Sequence, residues 1–214
     1  MIRAVLWDFG GVLTTSPFDA FNRFETERGI PKDFIRRVNA TNPLNNAWAR
    51  FESSTISLAE FDREFEAESR ALGHSIPGRA VIELLSGDLR PRMVQVLRRV
   101  KQGYKVACLT NNVRSGEGPG MAPTSDRAAR VQAVMELFDV VVESSKEGIR
   151  KPDPKFYLRA CERLSIEPHE AVFLDDLGIN LKPAKTLGMT TIKVDSEAQA
   201  IDALGATLAI DFSS

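Results

Sequence analysis

The chain is poor in the residues that staple, chelate or bias charge. Two cysteines in 214 residues, Cys108 and Cys161, cannot build a disulfide framework. Their apolar surroundings place one in a buried strand and the other in a helix, as core thiols of a chain kept in a reducing, cytoplasmic compartment. Two isolated histidines, His74 and His169, leave no histidine-built metal centre. Neither sign of charge is in excess: 28 Lys and Arg face 29 Asp and Glu, a formal net charge of −1. Nothing therefore favours nucleic acid or an anionic membrane surface as a partner. No apolar run approaches the ~20 residues of a membrane span. The N-terminus enters a strand-like run at once, without the basic and apolar regions of a signal peptide. Monomer and homodimer both stay open.

What is present is ordinary for a soluble globular domain: 43% apolar and 27% charged residues. The length suits one large domain, or a core with a modest insert. Residues 2–7 (IRAVLW) are apolar and branched and stop at Gly10-Gly11, as a fully buried strand does. From about Ser16 to Gly87 the pattern is helical. Phe18, Phe21 and Phe24 recur at threes until Gly29-Ile30-Pro31, and Ser57 with Glu60 has capping-box spacing before Phe61, Phe65 and Leu72. Alternation resumes at about Asp88. The helix 91–102, opened by Pro91 and stopped by Gly103, precedes the strand YKVACL. A Gly/Pro-rich loop from Asn111 to about Ser125, expected to be mobile, leads to a helix over 126–137 and the strand FDVVVE. Asp153-Pro154 opens the helix PKFYLRACERL, and the strand AVFL, the helix NLKPAKTLG, the strand TTIKV and a helix near 197–204 follow. This pattern predicts an α/β fold, a parallel sheet with helices on both faces. The core would comprise residues 1–15 and 88–214, with a helical insert over 16–87.

Four polar clusters close hydrophobic segments: Asp8, Thr110-Asn111, Lys151 and Asp175-Asp176. Taken singly, each has an ordinary reading: a turn acid, turn chemistry, a solvated lysine beside the helix cap Asp153. Adjacent acids at the end of a buried strand are harder to explain without a cation, because they repel each other. In an open parallel sheet the carboxyl ends of strands share one rim, where ligands bind. Gathered there, an acid, a hydroxyl-amide pair, a lysine and a double acid suit phosphoryl transfer. A divalent cation would cancel the repulsion between a carboxylate nucleophile and a phosphate. Asp8 would be nucleophile and metal ligand, and Asp176 a second ligand. Asp175 would be its support or an alternate ligand. Lys151 would neutralise charge on the transferring group, and Thr110 and Asn111 would donate hydrogen bonds to its oxygens.

These residues resemble the pattern of the haloacid dehalogenase-like hydrolase superfamily: a strand-ending Asp, a strand-ending Thr, a loop Lys before Pro, and an acidic pair. VVESSKEGIRKPDPKFY and AVFLDDLGINLKPAKTLGMTTIKV are similar to the amino-terminal phosphatase domain of mammalian soluble epoxide hydrolase. They are also similar to the related domain fused to some acyl-CoA dehydrogenases, and the opening DFGGVL is closer to the latter. The resemblance implies a Rossmann-like core, an α-helical cap over the nucleophile, Mg²⁺ as cofactor and a small phosphorylated substrate. It also implies that the residue two after the nucleophile lends its backbone carbonyl to the metal, which Gly10 can do.

In phosphatases of the superfamily that position is usually Asp, which protonates the leaving group. General acid–base help of that kind is worth ~10²–10⁴-fold, so Gly10 predicts weak or selective phosphatase activity, raised by Gly10→Asp. Two alternatives remain: C–halogen hydrolysis of 2-haloacids by the same nucleophile, and a non-catalytic phosphate-binding or interaction module. Trp48, Arg50 and Phe51 are candidates for the pocket wall, with packing between cap and core the favoured role.

Overall fold

β1 (Ala4–Trp7) is wholly buried, with Ala4 and Leu6 turned to one layer of helices and Val5 and Trp7 to the other. A strand covered on both faces has no place for a polar residue, which is why its sequence is continuously apolar. The computed structural model describes residues 1–85, 87–112 and 125–212. β1 lies at the middle of a parallel five-stranded sheet with β2 (Lys105–Thr110), β3 (Val140–Glu143), β4 (Ala171–Asp175) and β5 (Thr190–Lys193), in the order β3-β2-β1-β4-β5. Trp7 pairs with Cys108 on one side and Leu174 on the other. The residues that end β2 and β4 therefore flank the chain just past β1.

Between β1 and β2 come α1 (Pro17–Glu27), α2 (Phe34–Ala40), α3 (Ala47–Glu52), α4 (Leu58–Ala71), α5 (Gly78–Glu83) and α6 (Pro91–Val100). α7 (Ser125–Met135) precedes β3, α8 (Ser144–Glu147) and α9 (Pro154–Leu164) follow it, and α10 (Gly178–Thr186) and α11 (Glu197–Leu208) flank β5. Met93 and Leu97 of α6, Val134 of α7 and Leu204 of α11 pack against one face of the sheet. Phe156, Tyr157 and Ala160 of α9 and Ala184 of α10 pack against the other. The parallel α/β sheet with helices on both faces is thus present.

Helix starts follow local chemistry. The Ser57 hydroxyl accepts from Glu60 N while the Glu60 carboxylate accepts from Ser57 N, the reciprocal capping box that the spacing predicts. Ser16, Asn46, Asp153 and Ser196 accept in the same manner at α1, α3, α9 and α11, each cap worth about 1 kcal/mol. The helix expected over 91–102 ends at Val100, and the one expected near 197–204 runs on to Leu208. α8 has no counterpart in the sequence reading. Most of the Gly/Pro-rich loop after Asn111, residues 113–124, lies outside the described residues.

α1 to α5 bury an aromatic cluster of their own. Phe51 stacks on Phe61 at 4.5 Å between ring centroids, and Phe65 lies 5.4 Å from Phe61. Two backbone crossings join this helical stretch to the sheet, and there Thr15 N donates to Asp88 O and Arg90 N to Leu13 O. Cys108 and Cys161 are free and buried, in β2 and α9 as expected. Among the described residues, no helix is long and apolar enough to cross a membrane.

Candidate active site

Asp8 sits one residue beyond β1, its backbone N–H donating to Leu174 O of β4 at 2.9 Å. Thr110 is the last residue of β2, Asp175 the last of β4, and Asp176 follows it. These residues, brought to one rim by strand pairing, are joined there by Lys151 from the loop before α9. The Lys151 ammonium lies 2.8 Å from Asp8 Oδ1 and 2.7 Å from Asp175 Oδ2, and its side chain is 1% exposed.

Asn111 holds that lysine in place. Its side-chain amide donates to Lys151 O at 3.0 Å, and its carbonyl oxygen accepts from Lys151 N at 2.9 Å. The Asn111 side chain is therefore engaged with the loop. Asn112 fastens β2 to β3 through Glu143, Ser144 and Ser145.

The two aspartates of the pair are not equivalent. Asp175 is fully buried and accepts from Lys151, from Leu177 N at 2.8 Å and from the Asn180 amide at 3.0 and 3.1 Å. Tyr157 in turn donates its hydroxyl to Asn180 O at 2.7 Å. Both Asp175 oxygens are thus occupied by protein donors. Asp176 is only partly buried and opens onto the cavity. Gly11 makes room for it. A Cβ at Gly11 would fall 2.2 Å from Asp176 Oδ2, and its φ of +76° is disfavoured for any other residue.

Burial pushes the Asp8 carboxyl well above the usual carboxylate range, opposed by Lys151, with Asp175 and Asp176 adding to the rise. Burial alone would lower the Lys151 pKa, but Asp175 and Asp8 outweigh it and hold the ammonium charged. Burial, then Asp175, raises Asp176 to about 6, against Lys151 and Arg90. Asp8, Asp175 and Asp176 can each offer one oxygen within 4.8 Å of the others. Three close carboxylates around one lysine leave an excess of negative charge, and an all-oxygen set suits a hard divalent cation.

Above this rim is a cavity of about 350 Å³. Asp8, Gly10, Thr110, Asn111, Lys151 and Asp176 contribute to its floor, while Phe18, Phe21, Leu44, Trp48 and Ile179 make much of the remaining wall apolar. Of the three candidates from the helical stretch, Trp48 lines the cavity, whereas Phe51 packs in the aromatic cluster and Arg50 pairs with Glu64 on the surface. The sequence reading did not single out Asn39, Glu52 and Arg150, which also reach the cavity. Glu52 had one available signal: it stands four residues after Trp48, so both occupy one helix face.

The match to known proteins is broad. A family model for haloacid dehalogenase-like hydrolases covers residues 2–188. The chain is 37% identical over 212 residues to "Acyl-CoA dehydrogenase family member 10" of Mus musculus, covering 96% of this chain but 19% of that protein. It is 29% identical over 215 residues to "Bifunctional epoxide hydrolase 2" of Mus musculus, covering 94% of this chain and 38% of that one. The chain thus spans well under half of these two relatives, both of the kinds that its motifs resemble. "Phosphatase MT3486" of Mycobacterium tuberculosis is 29% identical and matched along most of both chains, 94% and 91%. Among solved structures, a family enzyme of Bacteroides thetaiotaomicron in complex with magnesium and inorganic phosphate superposes with a TM-score of 0.58, 20% identity and coverage of 90% and 94%. A dehalogenase in an intermediate complex superposes at 0.67, with 20% identity and 98% of each chain, and both likenesses show the fold. With the family model matched over most of its length, this chain belongs to the haloacid dehalogenase-like hydrolases.

Proposed function

We propose that the protein is a Mg²⁺-dependent phosphatase that works through an aspartyl-phosphate at Asp8. The observation that carries the reading is the meeting of Asp8, Lys151 and Asp176 on the floor of one cavity, with Lys151 2.8 Å from the Asp8 carboxylate. Asp8, Asp176 and the Gly10 carbonyl would hold the cation, and Asp175, whose oxygens are already taken, would position Lys151. When bound, the cation supplies positive charge that lets a carboxylate approach a phosphate dianion.

The chain's own groups account for the rest. An Asp8 oxygen attacks phosphorus, the bond to the leaving oxygen breaks, and water later releases inorganic phosphate and restores Asp8. Lys151 balances the charge that develops on the phosphoryl oxygens, while the Thr110 hydroxyl and Asn111 N–H donate to them. Residues 16–87 act as the cap over a core of 1–15 and 88–214. Phe18, Phe21, Leu44, Trp48 and Ile179 favour a small substrate whose organic part is largely apolar. A full-length phosphatase relative and a relative called "Sesquiterpene phosphatase astK" in Aspergillus oryzae add support. Buried free thiols suit a reducing cytoplasm.

Aryl and alkyl phosphates assayed with Mg²⁺ and with EDTA test the reading. Turnover that EDTA abolishes, with no release of halide from 2-haloacids, is expected. Metal-independent halide release would replace phosphatase with C–halogen hydrolase.

A further inference from the structure

α1 to α5 contain two glutamates that are almost wholly buried, Glu25 and Glu52, and their surroundings differ. Glu25 is fully used: its carboxylate accepts from Asp33 N at 2.7 Å and Ile35 N at 2.8 Å, which ties down the start of α2. Glu52, at the end of α3, is 6% exposed and lines the cavity shared by Asp8 and Gly10. Its Oε2 lies 2.8 Å from Arg150 Nη2, yet that buried oxygen has no hydrogen-bond donor aligned with it. Burial makes a carboxylate costly to keep ionised, and the Arg150 ion pair with the Trp48 indole offsets only part of that cost. Arg150 immediately precedes Lys151, whose ammonium contacts Asp8. The ion pair therefore fastens Glu52 to the loop that carries the charge clamp. Ser54, two residues further on, donates its hydroxyl to Ser145 O at 3.3 Å and holds the same turn against the core.

Position 10 supplies no proton, and space is left there: a Cβ on Gly10 would meet nothing within 4 Å. We propose that Glu52 supplies the proton that position 10 lacks, acting from the helical side of the cavity as general acid to the leaving group and then as general base to water. This assignment rests on the phosphatase reading of the site. In the first half-reaction an Asp8 oxygen bonds to phosphorus, the phosphorus–oxygen bond to the leaving group breaks, and the departing oxygen takes the Glu52 proton to leave as an alcohol. In the second, the Glu52 carboxylate takes a proton from the water that attacks phosphorus, the bond to Asp8 breaks, and Glu52 is reprotonated. Burial pushes the Glu52 carboxyl up, against Arg150, the Trp48 indole on its own helix and Lys151, which is the direction an acid needs.

The test compares kcat/KM for an alkyl phosphate and for p-nitrophenyl phosphate, with Mg²⁺, in wild type, E52Q, G10D and the E52Q/G10D double variant. An alkoxide needs protonation to leave and a nitrophenolate barely does. E52Q should therefore slow the alkyl ester by about 100-fold or more and the aryl ester by less than about 10-fold. Gly10→Asp should restore much of the alkyl rate in the E52Q background and gain less in wild type, a rescue that a purely structural Glu52 would not allow. In wild type, the alkyl rate alone should fall as pH rises through the Glu52 titration, a readout that does not depend on E52Q folding. Equal losses on both esters, no loss on either, or no rescue overturns the assignment of Glu52 while phosphatase activity stands. Absence of turnover of both esters by wild type overturns the phosphatase reading and this proposal with it.

Discussion

On the sheet side of the cavity, charged groups are held from several directions. Asp175 accepts from three residues, Lys151 touches two carboxylates, and Asn111 grips the lysine's backbone from both sides. On the helical side polar atoms are held less fully: Asn39 Oδ1 is buried without a hydrogen-bond donor, and Glu52 Oε2 meets the Arg150 guanidinium without a well-aligned hydrogen bond. The rest of that wall is largely aromatic and aliphatic, with Leu44 exposed at 73%. The sheet side is organised before any ligand arrives, which suits groups that stabilise developing charge. The helical side keeps less fully held polar atoms and apolar surface, which suits recognition of whatever the phosphate is attached to.

The contrast is broken most severely at Lys151. Lys151→Met keeps the side-chain length but leaves Asp8 and Asp175 buried without their counter-charge. Turnover should vanish, and stability should fall by about 3–5 kcal/mol, measured by urea denaturation of the metal-free protein. A variant as stable as wild type would mean that the rim is not held by this ammonium.

Phe61→Ala attacks the other side. Removing the ring between Phe51 and Phe65 should cost about 3–5 kcal/mol. Hydrogen exchange should show protection lost in residues 17–83 before the sheet. Simultaneous loss in the sheet would show that the two regions unfold as one unit. A smaller effect is expected at the mouth: Leu44→Asn should weaken kcat/KM for an apolar-tailed phosphate by about 10-fold while sparing a small one. Equal losses on both would remove the mouth from substrate selection.

The smallest effect concerns pH. Asp176 has a carboxyl raised from 3.8 to about 6, so the metal-free fold holds a proton there that the unfolded chain does not. That contribution to stability is present below about pH 4 and lost as pH rises through about 6. Cation binding displaces the proton, so Mg²⁺ affinity should drop as pH falls through about 6. The rise in Tm produced by Mg²⁺ should accordingly grow between pH 5 and pH 7, and a constant rise would remove Asp176 from the ligand set.

What could be read in advance follows the same division. Strands buried on both faces are unbroken apolar runs, so their polar ends at Asp8, Thr110 and Asp175-Asp176 stand out, and the parallel topology puts them on one rim. Capping boxes and N-terminal prolines are local, so α4, α6 and α9 were legible. The four-residue α8 is too short for periodicity to register. The sequence reading already gave Asp176 the ligand role and Asp175 that of support or alternate ligand, but the partners that occupy Asp175, Lys151, Leu177 N and Asn180, arrive through packing. Glu52 was passed over for a related reason: its spacing puts it on the Trp48 face of AWARFE, but only the fold shows that this face meets the cavity.

The central claim is tested most directly by quenching the protein during turnover of an aryl phosphate and locating any phosphoryl adduct by mass spectrometry. An adduct on Asp8 that requires Mg²⁺ and disappears in Asp8→Asn is the expected result. An adduct on another residue, or undiminished turnover by Asp8→Asn, would contradict it.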